Sequence, residues 1–279
     1  MKIKFLDDAF RGLKYLIRRR RARAELAART VTPKPHPLRT PLIVSLTSYP
    51  PRFDKLALTL QGILKQTMAA DRTILWIAEE DMDALPVSVR DLADDGLEIR
   101  SCPNLRSYKK ILPALAEAPD ATIITADDDV YYPPHWLEDI VTAHHDSGAP
   151  VVCVRGHYVQ LQEDGRPKPY GDWTMNHSAP TRSGLIFPTG VSGILYAPGC
   201  FAAGVTDWET ASALCPTADD VWLYWMHRLN GVEAYKFGEY HRILEWERDP
   251  VDSLKTTNAA GGNDQQIAAM IDRFGWPAP

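Results

Sequence analysis

Three consecutive carboxylates, Asp127, Asp128 and Asp129, are the residues whose type and spacing best fit catalytic chemistry. They follow the mostly β-branched run Thr122–Ala126, which lacks alternation, as in a strand covered on both faces. In open α/β sheets the ligand crevice lies at the carboxyl ends of the strands. Adjacent carboxylates repel one another, and oxygen ligands suit a hard cation. The triplet therefore predicts a Mg²⁺ or Mn²⁺ site with open positions for phosphate oxygens.

A second acidic pair, Asp219 and Asp220, opens an aromatic-rich segment with helical character. A carboxylate held near an acceptor hydroxyl can take its proton as a bond forms, so this pair is a candidate general base. Both clusters also have a purely structural interpretation. Aspartate is common in turns and at helix starts, and one carboxylate is enough to cap the helix expected from Pro134.

Composition bounds the class of protein. The chain has 279 residues, enough for one large α/β domain or two small ones, and its 45% hydrophobic content is sufficient for a full core. No run of eighteen apolar residues predicts a membrane span, and charged residues interrupt the first apolar patch, so we expect no secretory signal. The four cysteines have no C-x-x-C spacing, which argues against structural zinc and for a reduced, cytoplasmic setting.

Positive charge is concentrated at the beginning of the chain. Residues 1–29 carry ten Lys and Arg against three Asp and Glu, a net charge of +7. The whole chain has a net charge of −5, so residues 30–279 carry −12. An acidic body argues against a nucleic-acid partner. Leu6, Phe10, Leu13 and Ile17 recur at helical spacing before four arginines at 18–21, which predicts a basic amphipathic helix. Such a helix either lies in the headgroup layer of an anionic membrane, peripheral on its cytoplasmic face, or packs its apolar stripe on the domain.

The remaining chain reads as a linker followed by one domain. Residues 30–41 hold four prolines and predict an extended linker, which leaves 42–279 as the main domain. Strand and helix patterns alternate from Leu42 to His145, as in a parallel sheet with crossover helices. After that come a long polar and aromatic loop at 166–183 and a glycine-interrupted strand at 187–196. We therefore predict an α/β fold with a mostly parallel central sheet flanked by helices.

Taken together, these motifs resemble metal-dependent nucleotide-sugar glycosyltransferases of the GT-A fold, a Rossmann-like fold, and in particular bacterial polysaccharide-type enzymes similar to glycosyltransferase family 2. The matching pieces occur in the expected order across residues 41–266. They are SLTSYPPR (45–52), SYKK (107–110), TADDD (125–129), PTG (188–190) with Gly193, CPTADDVW (215–222) and NDQ (263–265). Several short motifs in order are far more specific than any one of them.

The resemblance implies roles for the donor site. Asp127 and Asp129 would hold the divalent ion on the donor diphosphate, and Asp128 would reach ribose or sugar hydroxyls. Thr47, Arg52 and Lys109 would bind the nucleotide or diphosphate of the donor, expected to be a UDP-sugar. Asp264 is one candidate for a third metal ligand, with Asn263 and His241 as alternatives.

The resemblance also implies a reaction. Asp220, with Asp219 beside it where Glu is more usual, would be the base of an inverting transfer to a glycan or lipid-linked acceptor. A retaining route is the alternative if no carboxylate reaches the hydroxyl. Trp173, Trp208 and Trp222 are candidates for stacking on the acceptor sugar, although core positions are the more common fate of Trp208 and Trp222. Two other functions remain open: a membrane-associated sugar-nucleotide-binding module with a vestigial metal site, and a metal-dependent phosphotransferase.

Overall fold

The computed structural model describes residues 2–239, 243–247 and 262–277. The strands in this part of the chain are β1 (Leu42–Thr47), β2 (Arg72–Ala78), β3 (Leu97–Cys102), β4 (Thr122–Ala126), β5 (Val151–Cys153), β6 (Gly156–Tyr158), β7 (Thr181–Ser183), β8 (Ile186–Pro188), β9 (Ile194–Tyr196) and β10 (Ala234–Lys236). The helices are α1 (Lys2–Ala28), α2 (Phe53–Leu64), α3 (Val87–Arg90), α4 (Leu112–Glu117), α5 (Trp136–Ser147), α6 (Trp208–Leu214), α7 (Asp219–Leu229) and α8 (Asn263–Phe274).

Eight of the strands form one sheet in the order β3-β2-β1-β4-β9-β5-β10-β7, and β6 pairs with β8 apart from it. The ladders β3-β2, β2-β1, β1-β4 and β5-β10 are parallel, whereas β9 and β7 run antiparallel to their neighbours. The prediction of a mostly parallel sheet flanked by helices is confirmed. Parallel strands placed side by side bring their carboxyl ends to one edge of the sheet.

The central strands are buried on both faces because two cores lie against the sheet. Along β1, Ile43 belongs to one core, while Leu42, Val44 and Leu46 belong to the other. The first core contains residues of α4, α7 and α8, and the second contains residues of α2, α3 and α5. A two-sided environment of this kind explains why β1 and β4 have apolar residues at consecutive positions rather than an alternating pattern.

The structure differs from the sequence prediction at two helical segments. The helical pattern between β3 and β4 consists of a 3-10 helix at Arg106–Lys110 and the separate helix α4, which has a proline in its first turn. Proline is favoured there and disfavoured within a helix, so the break precedes Pro113. Helix α6 was not predicted; its start is marked by Asp207, whose side chain accepts a hydrogen bond from the Thr210 N–H.

Helix α1 is anchored to the domain through its C-terminal half. Ala22 and Leu26 are buried in a small core with Leu244 and Trp246. By contrast, Leu13, Leu16 and Ile17 are 54%, 51% and 42% exposed. The packing interpretation therefore accounts for the second half of the helix and leaves these three apolar residues uncovered.

Arg29, immediately after α1, ties the helix to the body. Its guanidinium donates to the carbonyls of Gly62, Lys65 and Tyr132 at 3.0–3.1 Å and forms a 2.8 Å ion pair with Glu25. The following extended segment is bonded to the domain as well, because the Lys34 N–H donates to the Thr67 carbonyl at 2.9 Å. In the described residues, no helix combines the length and apolar character that crossing a bilayer requires.

We predict that Arg29→Met lowers the free energy of unfolding by about 3 kcal/mol, because it strips buried carbonyls of their donor and leaves Glu25 unpaired. Urea denaturation followed by tryptophan fluorescence measures the change. Arg23→Met, on the exposed face of α1, is the matched control and should stay within about 0.5 kcal/mol of the parent protein. Equal stability of the parent and the Arg29 variant would contradict the anchoring role.

Candidate active site

The acidic triplet lies at the carboxyl end of β4, next to the end of β1. The register pairs Leu46 of β1 with Ala126 of β4, so residues after Thr47 lie beside Asp127 to Asp129. Asp128 is 6% exposed, and its carboxylate accepts a 2.6 Å hydrogen bond from the Ser48 hydroxyl. The loop after the first strand and the triplet therefore form one edge of the site.

Arg52 binds two members of the triplet. Its Nη1 lies 2.9 Å from Asp128 Oδ1 and 2.8 Å from Asp129 Oδ2. Burial raises the pKa of Asp128, although the Arg52 charge and the Ser48 hydrogen bond act in the opposite direction. The guanidinium thus offsets part of the repulsion that three adjacent carboxylates would otherwise create.

Lys110 joins the triplet to the second acidic cluster. Its Nζ lies 3.0 Å from Asp219 Oδ2 and 3.4 Å from Asp127 Oδ1, and the residue is only 8% exposed. Burial alone would lower the pKa of Lys110, but the charges of Asp219, Asp127 and Asp220 raise it well above its usual value. The two clusters predicted from sequence are therefore brought together around one buried ammonium group.

Asp220 lies in the first turn of α7 and is held by the loop between β8 and β9. The Gly190 N–H donates to both of its carboxylate oxygens, at 3.0 and 3.1 Å. Burial, with the neighbouring charge of Asp219, raises the pKa of Asp220 to about 7, while Lys110 and the Gly190 N–H act against the shift. A carboxylate with this proton affinity is well matched to general base catalysis near neutral pH.

The loop passes close to the acidic centre at Gly190, where a side chain would displace the ends of Lys110 and Asp220. A Cβ atom on Gly190 would lie 2.9 Å from Lys110 Nζ and 3.1 Å from Asp220 Oδ1. Two residues later, Ser192 has φ 77°, a conformation that side chains other than glycine adopt at a cost. The Ser192 carbonyl accepts a 2.7 Å hydrogen bond from Trp136 Nε1, which fixes the loop.

Other predicted donor-site residues have structural partners. The Thr47 hydroxyl donates to the Trp76 carbonyl at 2.7 Å. Lys109 is 3% exposed, and its Nζ lies 3.3 Å from the Ser48 carbonyl; burial lowers its pKa. Thr47 thus contacts the neighbouring strand, and Lys109 contacts the loop that carries Ser48 and Arg52.

The structure does not bring Asp264 to the triplet. Asp264 lies at the start of α8, and its carboxylate accepts a 2.7 Å hydrogen bond from the Tyr170 N–H. Among the described residues, no three His, Cys, Asp or Glu side chains form a group that could hold a metal. The alternative ligand Asn263 is the first residue of α8, and His241 lies outside the described residues. A third protein ligand is therefore not found in this part of the chain.

The aromatic candidates for stacking on a sugar belong to the core. Trp173 is 4% exposed and packs edge-on against Phe187, and Trp222 is 1% exposed. Trp208 is partly buried with its ring edge-on to Tyr108. Stacking of a sugar needs an open ring face, so the structure argues against Trp173 and Trp222 as platforms.

The chemistry of the triplet fits a hard divalent cation. Asp127 and Asp129 each keep 23% of the side chain exposed, and both offer carboxylate oxygens. Mg²⁺ in particular is commonly held by one or two carboxylates together with substrate phosphates rather than by an all-protein cage. A site with two carboxylates and no third protein ligand in the described chain agrees with that arrangement.

Sequence reasoning missed four residues of the site. Lys110 belongs to the matched motif 107–110, but its contacts were not predicted because the sequence does not show which of two adjacent lysines faces the site. Ser48 and Gly190 belong to matched motifs, but the sequence did not predict their hydrogen bonds to Asp128 and Asp220. Tyr132, whose hydroxyl accepts a 2.8 Å hydrogen bond from the Asp127 N–H, carried no sequence signal beyond following the triplet.

Comparison with solved structures indicates the fold. The mannosyltransferase PcManGT from Pyrobaculum calidifontis, in complex with GDP-Man and Mn²⁺, aligns with a TM-score of 0.53 and 18% identity over 95% of this chain and 73% of that chain. S. aureus TarS 1-349 in complex with UDP aligns with a TM-score of 0.50 and 10% identity over 83% of this chain and 66% of that chain. Against another structure of TarS 1-349, this chain covers 59% of that chain, with a TM-score of 0.47 and 12% identity.

Sequence comparison indicates the family. No curated protein matches the chain. Residues 51–204, which include Arg52, the triplet, Lys110 and Gly190, match the family described as "Glycosyl transferase family 2", and they make up more than half of the 279 residues. Asp219 and Asp220 lie beyond the matched stretch. With its mostly parallel sheet of the GT-A type, the chain belongs to glycosyl transferase family 2.

Proposed function

We propose that this protein transfers a sugar from a nucleoside-diphosphate sugar to a hydroxyl of a glycan or lipid-linked acceptor, with inversion at the anomeric carbon. The observation that carries the proposal is the position of Lys110 between Asp127 and Asp219. One ammonium group thereby joins a cation-binding carboxylate to the helix start that presents Asp220. A donor-binding half and a base-bearing half within one small site are what a glycosyl transfer requires.

The donor half is built around the triplet. Asp127 and Asp129 would hold Mn²⁺ or Mg²⁺, which when bound neutralises charge on the diphosphate. Arg52 can move from the carboxylates to phosphate oxygens, since a guanidinium binds either group with two parallel hydrogen bonds. Thr47 and Lys109 would support the nucleotide from the adjacent loop, and Asp128 would face donor hydroxyls. Bound UDP, UDP-GlcNAc and GDP-Man in the solved structures of this fold support a sugar-nucleotide donor.

The acceptor half depends on Asp220. Its carboxylate would take the proton of the acceptor hydroxyl while that oxygen forms a bond to the anomeric carbon. The bond between the anomeric carbon and the diphosphate oxygen breaks at the same time, and its electron pair leaves with the diphosphate. Attack from the face opposite the leaving group inverts the anomeric centre. Asp219 would keep Lys110 in place beside the base.

The cationic side chains stabilise the developing charge. Lys110 and Arg52 lie among carboxylates in a largely buried site, where preorganised charges act more strongly than in bulk solvent. As negative charge grows on the departing diphosphate, the positive charges of these two groups would stabilise it. A retaining route would instead require Asp220 to stay away from the acceptor hydroxyl, and analysis of the product anomer separates the two routes.

Two alternatives are weaker on the same observations. A metal-dependent phosphotransferase could use the same carboxylate base, but the family that residues 51–204 match is one of glycosyl transferases. A sugar-nucleotide-binding module with a vestigial metal site would gain nothing from Asp220. The Gly190 N–H orients both carboxylate oxygens of Asp220, whose pKa burial raises to about 7, and this combination supports a catalytic role.

We also propose that α1 brings the protein to the cytoplasmic face of an anionic membrane as a peripheral protein. Leu13, Leu16 and Ile17 are exposed beside a run of arginines, which is the combination that binds headgroups and buries apolar side chains just beneath them. Deleting residues 1–29 would also remove the buried Leu26 and Arg29, so point substitutions are the better way to examine this role.

We predict that Asp129→Asn weakens Mn²⁺-dependent affinity for UDP by about tenfold or more, because the cation loses a charged ligand. Isothermal titration with UDP, with Mn²⁺ and with EDTA, measures the effect. Asp264→Asn serves as a comparison variant: its bond to the Tyr170 N–H predicts unchanged Mn²⁺ dependence, whereas an equal loss would make it a metal ligand. Turnover that survives EDTA would contradict the cation's role.

We predict that Asp220→Asn lowers kcat for sugar transfer by about 10²–10⁴-fold, because the acceptor hydroxyl loses its proton acceptor. Affinity for UDP in the presence of Mn²⁺ should stay within about twofold, which shows that the donor half is intact. The readout is steady-state transfer from the donor that a panel of UDP- and GDP-sugars identifies. If transfer persists at the parent rate, Asp220 is not the base.

We predict a pH profile of kcat/KM that rises with pH up to about 7 and is level above it, because the base acts only when its carboxylate is unprotonated. Lys110→Met should move this limb to higher pH, since it removes the cation that lowers the pKa of Asp220. The matched control is Lys109→Met, at the adjacent lysine, which should leave the limb where it is. A limb that does not move in the Lys110 variant would contradict the coupling.

A further inference from the structure

A cavity lies between α1 and the segment that follows the acidic triplet. Its volume is about 350 Å³, and its wall combines Arg18, Arg21 and Glu25 of α1 with Val130, Ser192 and Leu244. It is separate from the acidic site, since neither Arg18 nor Arg21 contacts the carboxylates that bind Lys110 and Arg52. The lining is cationic on the helix side and mainly apolar on the domain side.

The positive charge of this cavity is not balanced from within. Glu25 is bound to Arg29 at 2.8 Å and receives a 2.7 Å hydrogen bond from the Tyr131 hydroxyl. In the part of the chain that the structure describes, Arg18 and Arg21 have no ion pair or side-chain hydrogen bond. Two guanidinium groups are therefore available to an anionic ligand at this wall, and guanidinium binds phosphate oxygens with defined geometry.

The cavity borders both halves of the proposed active site. Val130 directly follows Asp129, which belongs to the cation-binding triplet. Ser192 lies two residues beyond Gly190, whose N–H binds Asp220, and its positive φ marks a locally strained loop. Two lining residues of the cavity therefore belong to the segments that carry the triplet and Gly190.

An apolar path leads away from the cavity along α1. Ile17 is one helical turn before Arg21 on the same face, and Leu13 is one turn before Ile17. These residues are 42% and 54% exposed, so about half of each side chain is open to solvent. The arrangement offers contacts to a phosphate at one end and to hydrocarbon at the other, which is the chemistry of an amphiphilic phosphate.

We propose that this cavity binds the phosphate of a lipid-linked acceptor, with Arg18 and Arg21 as its ligands and the apolar face of α1 along its lipid chain. The proposal rests on the proposed glycosyl transfer, because it names the class of acceptor for that reaction. It commits to a lipid phosphate rather than to membrane lipids in general. An acceptor held in this way presents its sugar or hydroxyl toward Asp220 from the membrane side.

The test measures sedimentation of the full chain with three kinds of vesicle: phosphatidylcholine alone, phosphatidylcholine with phosphatidylglycerol, and phosphatidylcholine with a long-chain polyprenyl phosphate at equal surface charge. The parent should bind the polyprenyl phosphate vesicles at least about tenfold more tightly than the phosphatidylglycerol vesicles. The cavity variant is Arg18→Gln with Arg21→Gln. The matched control is Arg20→Gln with Arg23→Gln, which removes the same charge from the same helix outside the cavity.

Both double variants should lose the same general attraction to anionic vesicles, because both lose two positive charges. Only the cavity variant should lose the preference for polyprenyl phosphate. An equal preference in the two variants, or no preference in the parent, overturns the proposal. Release of the protein from the polyprenyl phosphate vesicles by an equal concentration of inorganic phosphate also overturns the proposal, since the site would then recognise phosphate alone.

A parallel titration separates this proposal from the proposed function. Mn²⁺-dependent binding of UDP should be the same in the cavity variant and in the parent, because Arg18 and Arg21 do not contact the triplet. Loss of UDP binding in the parent itself would count against glycosyl transfer. Normal UDP binding with no preference for polyprenyl phosphate would count only against the lipid-linked acceptor.

Discussion

Burial of one ammonium group among carboxylates is the constraint on which the site depends. Lys110 is 8% exposed, and a buried cation of this kind is tolerated only when charges of opposite sign surround it. Asp127 and Asp219 provide those charges. Each of them lies next to another carboxylate, and without the lysine the repulsion between these carboxylates would not be offset. Neither acidic cluster is stable in this form alone. Two segments of chain almost a hundred residues apart are therefore required in the same small volume.

The backbone around this centre is selected to allow close approach. The Gly190 N–H satisfies both oxygens of Asp220, and the missing side chain at 190 leaves room for the lysine. Ser48 and Tyr132 perform a similar task for the triplet, by hydrogen bonds to the Asp128 side chain and to the Asp127 backbone. The carboxylates are thereby held in fixed directions before any ligand binds, which reduces the reorganisation needed during a reaction.

The fold was predictable because β1, β2 and β4 have apolar residues at consecutive positions, which is typical of strands covered on both sides. Both acidic clusters were predictable too, since three carboxylates directly after a buried strand repel one another unless a cation lies among them. The choice between Lys109 and Lys110 was not, because it depends on which side of a 3-10 helix faces the cleft. Asp264 was suggested as a ligand through motif order alone, and the structure gives that carboxylate to the Tyr170 N–H instead. For α1, hydrophobic periodicity could not reveal that one helix packs its second half and leaves Leu13, Leu16 and Ile17 exposed.

Two segments that are far apart in sequence meet next to the triplet. The Trp246 N–H binds the Asp129 carbonyl, Val130 pairs with Glu245, and the Tyr15 hydroxyl reaches the Glu245 carbonyl across 230 positions of sequence. Closing so long a loop is entropically slow, and it cannot begin until both ends exist. During synthesis, the sheet edge around Asp129 should consequently lack these contacts until residue 246 has left the ribosome.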